Sequence, residues 1–366
     1  MNKIRFQIVP PVDRPDEPVF VTGSHPALGD WEPARGLRLR WEPPFQVGEF
    51  DAETGVHFEY KVTRGHWESE AVDAYGNVRP NDSHEVWLGH TIHQTVADWK
   101  DRYCGRLTRE RVHSRGLAGW RDLLVWLPPS YGVDGNRRFP VMIFHDGDNV
   151  FDPATSAVTG VDIAADEWVS LLSRAGVLSE SIVVGICHPE GFSEENNTLR
   201  DFDLSPELGG AGYANFVATE LIAHIDAHYR TLATPESRVL AGVSLGALNN
   251  VFTAFRHPGV FGKFVCLSTA FEDILEAPPE HSVQLKALAN LPALPSGVKM
   301  YFDYGTLGLD ECYEPYHRDL GSLLREKGWK DGEQFQIAKI PGGTHDEVSW
   351  RSRLGEGLRF VAGKVA

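Results

Sequence analysis

The feature that most constrains this chain is a series of apolar strand-like runs separated by helical patterns, from about residue 119 onward. Residues 123–127, 141–145, 182–186, 239–241, 264–267, 300–304 and 335–340 read as strands. Between them, Phe216, Leu221, Ile222 and Ile225 fall at helical spacing, as do Leu320, Leu323 and Leu324. Strands that are apolar throughout must be covered on both faces. That pattern predicts an α/β architecture, a mostly parallel sheet with helices on each side.

The first hundred residues follow a different grammar. Short runs at 19–21, 37–39, 57–62 and 85–88 alternate with Pro- and Gly-rich turns, and no helical period emerges. This predicts an antiparallel β-sandwich. The expected organisation is therefore a sandwich over 1–103, a polar, arginine-rich linker over 104–118, and an α/β domain over 119–366. Two domains suit a chain of 366 residues.

Charge and composition narrow the partners. A formal net charge of −16 argues against nucleic acid and anionic membranes, which need a basic face. No stretch approaches the ~20 apolar residues of a membrane span. Ile4, Phe6 and Ile8 alternate with polar residues, which reads as a strand rather than a signal-peptide core. The expectation is a cytoplasmic protein. Cys104, Cys187, Cys266 and Cys312 are scattered, which suggests reduced thiols rather than a disulfide or metal framework. Self-association into a homo-oligomer remains open.

One pentapeptide carries chemistry. Gly242-Val243-Ser244-Leu245-Gly246 follows the strand at 238–241 and precedes a helical segment rich in small residues. A G-x-S-x-G between strand and helix is the setting of a nucleophile elbow. The backbone N–H of Leu245, at the helix start, would face a developing oxyanion. A serine needs a base near neutrality, and in this arrangement acid and base follow the serine in chain order. His345, in the loop after the strand at 335–340, is the expected base among 15 histidines. His317, inside a helical pattern, reads as a packing or surface residue. Asp310, on the Gly-containing turn after the strand at 300–304, is the expected acid. Asp303, within that strand, and Glu311 are the competitors.

The segment 144–152 follows another strand, and the backbone N–H of Asp148 is the expected second oxyanion donor. His145, Asp146, Asp148 and Asp152 also invite a metal reading. Their spacing matches no divalent-cation loop, and a hydrolytic serine needs no metal. Neither metal nor cofactor is expected.

These motifs carry a resemblance. Phe144 to Asp152 is similar to the His-Asp-Gly-Gln-Asn-x-Phe-Asp stretch of an esterase family that includes esterase D, enterochelin esterases and feruloyl esterases. Asn196 to Pro206 is similar to that family's Arg-x-x-Asp-Leu-Thr-Pro segment, and Tyr229-Arg230-Thr231 fits as well. The resemblance spans about residues 112–362. It implies the α/β-hydrolase fold and a Ser244–Asp310–His345 triad. Asp148 departs from the family's usual glutamine, which a backbone donor tolerates.

The front half resembles a family-20 starch-binding module. Gly29-Asp30-Trp31-Glu32, Phe58-Glu59-Tyr60-Lys61 and Trp67-Glu68 carry the likeness. It implies one α-glucan site at Trp31, Lys61 and Trp67, completed by Asn81 or Asn77, and no second site. The combined expectation is a serine ester hydrolase acting through an acyl-enzyme on a small-molecule ester, with acylated saccharides as the natural class. Rival readings are a siderophore trilactone esterase, an acyltransferase using the same triad, and a glucan-binding scaffold with an inactive domain.

Overall fold

Strands whose side chains are apolar on both faces bury two cores at once, and the main sheet does so. The computed structural model describes residues 1–11, 17–73, 77–100, 105–117, 119–132, 135–156, 160–189, 198–271, 282–290 and 297–364. Cys104, Asn196 and Asn197 lie outside them.

The front module contains β1 (Asn2–Val9), β2 (Phe20–Gly23), β3 (Leu37–Arg38), β4 (Arg40–Glu42), β5 (Phe45–Ala52), β6 (His57–Thr63), β7 (Ala71–Val72), β8 (Asp82–Glu85), β9 (His90–Thr95) and β10 (Asp98–Trp99). They form two four-stranded sheets, ordered β4-β5-β1-β9 and β3-β2-β6-β8, plus the ribbon β10-β7. Pairing is antiparallel except between β1 and β9, which run parallel. Ile4, Phe6, Ile8, Val21, Phe58 and Val62 fill the space between the sheets, as alternation along each strand requires. The run expected as a strand at 85–88 keeps only Glu85. Trp87 and Leu88 lie beyond β8 and are exposed.

The main sheet follows with β11 (Arg106–Ser114), β12 (Gly119–Leu127), β13 (Val141–Phe144), β14 (Ile182–Ile186), β15 (Arg238–Val243), β16 (Lys263–Leu267), β17 (Lys299–Gly305) and β18 (Phe335–Ile340). The order is β11-β12-β14-β13-β15-β16-β17-β18, parallel from β14 onward and antiparallel at β11 and β12. Arg106–Ser114 corrects the expected linker over 104–118. It is the edge strand of this sheet, paired with β12 along its whole length. Its charged residues suit that place, because an edge strand needs polar side chains to discourage further pairing. Arg109 and Arg111 both reach Asp122 of β12 at 2.7 Å.

Helices α1 (Ala165–Arg174), α2 (Leu199–Leu204), α3 (Gly210–Asn215), α4 (Ile222–His228), α5 (Leu245–Arg256), α6 (Val283–Asn290), α7 (Glu314–Glu326) and α8 (Glu347–Ala362) cover the sheet. Leu123, Val125, Ile143, Val184, Leu240 and Phe302 point to one layer, with Phe216, Val251 and Leu320. Leu124, Met142, Val183, Val239, Val265 and Tyr301 point to the other, with Val169, Leu354 and Leu358. Each fully buried Leu, Ile, Val or Phe contributes about 1.5–3 kcal/mol of transfer free energy, so these two layers dominate the stability of the domain. Among the described residues no helix is long and apolar enough to cross a membrane.

Helix α8 also ties the halves together. Arg351 donates to Asp162 at 2.5 Å, to Glu167 at 3.4 Å and to the Pro10 carbonyl of the front module at 3.4 Å. Asp162, Asp166 and Glu167 form one buried acidic group. Burial raises the Asp166 carboxyl to about 7, and burial with the nearby Asp166 charge raises Glu167 well above its ordinary value. The folded state thus holds protons that an unfolded chain, with carboxyls near 4, releases. Stability contributed here is fully present at low pH and falls as pH rises through about 7. Asp166→Asn, which needs no proton, is expected to raise the melting temperature more at pH 8 than at pH 5. Paired thermal melts at the two pH values check this, and an equal shift at both would contradict it.

Candidate active site

Strand β15 delivers the chain into a turn that only small residues permit. A Cβ at Gly242 would lie 2.6 Å from the Gly246 carbonyl carbon. Neither glycine has positive φ. The unusual backbone falls on Ser244 itself, at φ 54°, ψ −122°. A non-glycine residue there costs about 1–3 kcal/mol, which the surrounding packing must hold in place. Ser244 caps α5, and Leu245 is its first residue. The Leu245 N–H therefore belongs to the first turn, whose donors have no intrahelical acceptor.

Ser244, His345 and Asp310 meet although they are 101 and 35 residues apart. His345 Nε2 lies 2.9 Å from Ser244 Oγ, and His345 Nδ1 lies 2.6 Å from Asp310 Oδ1. Asp310 has no exposed surface. Burial alone would raise its carboxyl. Hydrogen bonds from His345, Ser268 and the Gly305 N–H outweigh burial and hold it near about 2. An ionised carboxylate only accepts. Nδ1 therefore carries the imidazole proton, and Nε2 is left to accept from the Ser244 hydroxyl. Trp350 and Tyr313 pack edge-on against the imidazole at 5.0 and 5.6 Å.

The competing residues are engaged elsewhere. Asp303 is buried, accepts from the Ser268 N–H at 3.1 Å and lies 3.4 Å from Arg353. Burial raises its carboxyl to about 7 even beside that guanidinium. Glu311 is exposed and accepts from the Gly308 N–H. His317 is buried among aromatic rings. Burial pushes it down to about 4, and its Nδ1 pairs with the Tyr313 carbonyl.

The loop after β13 is braced by hydrogen bonds and an ion pair. Burial pushes His145 down to about 4, so it is neutral. Its nitrogens meet Tyr213 Oη at 3.0 Å and Asn250 Oδ1 at 2.8 Å. Burial would raise Asp146, but the Arg200 guanidinium, paired at 2.5 and 2.9 Å, pulls it to about 2. Asp148 occupies the short turn Gly147–Asn149. Its carbonyl accepts from Thr155 Oγ1 at 2.6 Å. A cavity of about 390 Å³ opens over Ser244, lined among others by Asp148, His188, Arg200, His345, Glu347 and Trp350. Asp162, Asp166 and Glu167, which could share an ion among the described residues, do not line it.

Sequence reasoning missed the support around Asp310. Ser268 Oγ donates to Asp310 Oδ2 at 2.6 Å and accepts from Trp350 Nε1 at 3.0 Å and from Arg353. Ser268 follows β16 with no local signal. Arg353 had one: it shares the helical stripe of Trp350, Leu354 and Leu358, where a charge needs a buried partner.

In the front module, the structure brings Trp31 and Trp67 together, with ring centroids 6.3 Å apart and planes 29° from parallel. Trp67 is 38% exposed. Lys61 is drawn inward, to Glu70 at 3.2 Å and the Arg79 carbonyl. Asn81 is exposed and donates to Glu59 at 3.0 Å, whereas Asn77 is held by Asp73.

Comparison with known proteins agrees with both halves. Residues 114–361 match the family described as Putative esterase, and residues 1–95 match the starch binding domain. The uncharacterized protein YbbA of Bacillus subtilis is 28% identical over 265 residues, which span 69% of this chain and 96% of that protein. The ferulic acid esterase of Anaeromyces mucronatus aligns at a TM-score of 0.52 and 20% identity, over 70% of this chain and 91% of its own. The ferric enterobactin esterase of Salmonella typhimurium aligns at 0.54 and 14% identity, over 94% and 88%. Those two likenesses show the fold. The geometry also makes a spectroscopic prediction: a strongly downfield proton resonance from the His345–Asp310 hydrogen bond in one-dimensional NMR. Asp310→Asn should abolish it and Asp303→Asn should keep it.

Proposed function

This chain belongs to the Putative esterase family, and from that premise we propose that it hydrolyses carboxylic esters of saccharides through an acyl-enzyme on Ser244. One observation carries the reading: His345 lies within hydrogen-bond distance of both Ser244 Oγ and a buried, ionised Asp310. In this mechanism Ser244 Oγ attacks the ester carbonyl while His345 Nε2 takes its proton. The Leu245 and Asp148 N–H groups receive the oxyanion. Asp310 holds the tautomer and stabilises the imidazolium. His345 then returns the proton to the leaving alcohol, and water activated by the same imidazole releases the acid.

Saccharide as the alcohol is supported by the front module. The stacked pair Trp31 and Trp67 offers an aromatic surface of the kind on which apolar sugar faces pack. The cavity wall supports the same choice over an anionic siderophore ester. Its described cation, Arg200, is already neutralised by Asp146, and Asp148, Asp346 and Glu347 add negative charge. In this reading the front module covers 1–103, and the catalytic unit begins with the edge strand β11 (Arg106–Ser114) rather than at residue 119.

Two experiments test the proposal. Ser244→Ala is expected to lower ester turnover by about 10⁴-fold or more in a folded protein, and Asp310→Asn by about 10³–10⁴-fold. Asp303→Asn and Glu311→Gln should cost far less. Steady-state kinetics on aryl and acetylated-sugar esters decides, and near-normal turnover in Ser244→Ala would refute the mechanism. Separately, the full chain is expected to be retarded by soluble starch on a native gel. Trp67→Ala should weaken this about five- to tenfold without the ~3–5 kcal/mol loss of stability that truncating a core tryptophan brings.

A further inference from the structure

The cavity over Ser244 has a neighbouring groove with which it shares part of its lining. Asp148 and His188 line both, and the groove measures about 600 Å³. That volume is in the range of sites that hold small ligands. The groove is bounded by Cys187, His188 and Pro189 past the end of β14, and by the outer strands of the sheet. Arg111 lies opposite Asp122, and His113 opposite Trp120, in the β11–β12 register. Residues directly opposite share a face, so Arg109, Arg111, Trp120 and Asp122 all front the groove.

Trp120 is 53% exposed, and among the described residues it is the one tryptophan of the catalytic unit left so open. Its ring is fixed rather than loose. His113 packs edge-on at 5.0 Å, and the Arg111 guanidinium lies 5.9 Å from its centroid. Beside it, Arg109 and Arg111 share Asp122, each at 2.7 Å. Among the described lining residues, the two guanidinium groups are matched in number by the carboxylates of Asp122 and Asp148. An anchored indole next to these forks of donors and acceptors matches a pyranose ring, apolar on its face and hydroxylated at its rim.

We propose that this groove is a saccharide subsite, with Trp120 as the stacking platform and Arg109, Arg111 and Asp122 as hydroxyl partners. The acyl ester would lie at Ser244 and the sugar chain would extend past Asp148 and His188 onto β12. The inference rests on the ester-hydrolase reading and sharpens it: the substrate is an O-acylated oligosaccharide rather than an acylated monosaccharide or simple alkyl ester.

The test uses the full chain and three substrates: p-nitrophenyl acetate, 6-O-acetylglucose and a mono-acetylated maltotetraose. Wild type should show a higher kcat/KM on the tetrasaccharide ester than on the glucose ester. Trp120→Ala should lower the ratio of tetrasaccharide to aryl-ester kcat/KM about fivefold, through KM. Trp120→Phe should restore part of it. An unchanged ratio in Trp120→Ala overturns the subsite, as does a fall seen in Trp67→Ala instead, which would assign chain-length preference to the front module. A loss on all three substrates with a lowered melting temperature also overturns it, since Trp120 would then be structural. Wild type inactive on every ester would instead refute the hydrolase reading, so the two failures are distinct.

Discussion

The carboxylate of Asp310 has no contact with solvent and is held in its ionised form. Burying an unpaired charge costs several kcal/mol, so the fold around it must supply donors. It does so from four places. Gly305 ends β17 and Ser268 follows β16, Arg353 projects from α8, and His345 comes from the loop between β18 and α8. Two neighbouring strand ends, a helix and a loop must all be in register before this charge is satisfied. The orientation of His345 toward Ser244 is a consequence of that register, because the donor it must present to Asp310 fixes which nitrogen faces the serine.

Helix α8 is where the site and the wider architecture meet. Residues two apart on a helix point about 200° from each other. Arg353 can therefore reach Ser268 and Asp310 while Arg351 reaches the buried acidic group and the Pro10 carbonyl. Trp350, one residue earlier, packs on His345 and donates to Ser268. One helix thus braces the base, the acid and the joint with the front module. The elbow adds a second constraint: the strained backbone of Ser244 is sustained by β15 on one side and the first turn of α5 on the other.

Much of this was legible in the residues themselves. The positions of β14 and β18 follow directly from their apolar runs, and the α/β order from the change of grammar near residue 119. Ser244 was marked by glycines that allow close approach, although the positive φ lies on the serine and not on its neighbours. His345 and Asp310 were marked by their place after particular strands. What escaped was of another kind. Arg106–Ser114 looked like a linker because its arginines are polar, and it is a strand because β12 offers it an edge. Lys61, expected at the glucan site, is also ion-paired with Glu70, a contact that its neighbours in sequence do not signal.

By itself, the sequence indicated the parallel strands of the main sheet, which serine stands at a strand-to-helix turn, and which histidine and aspartate follow it in order. Those properties depend on spacing within a few residues, where side-chain periodicity and glycine geometry act. Only the tertiary structure decided that Ser268 and Arg353 support Asp310, that Asp303 does not meet His345, and that Trp120 fronts a groove sharing Asp148 and His188 with the catalytic cavity. These contacts join residues 42, 43 or more positions apart. They arise from how strand ends and helices pack around a buried charge, and no local pattern encodes that.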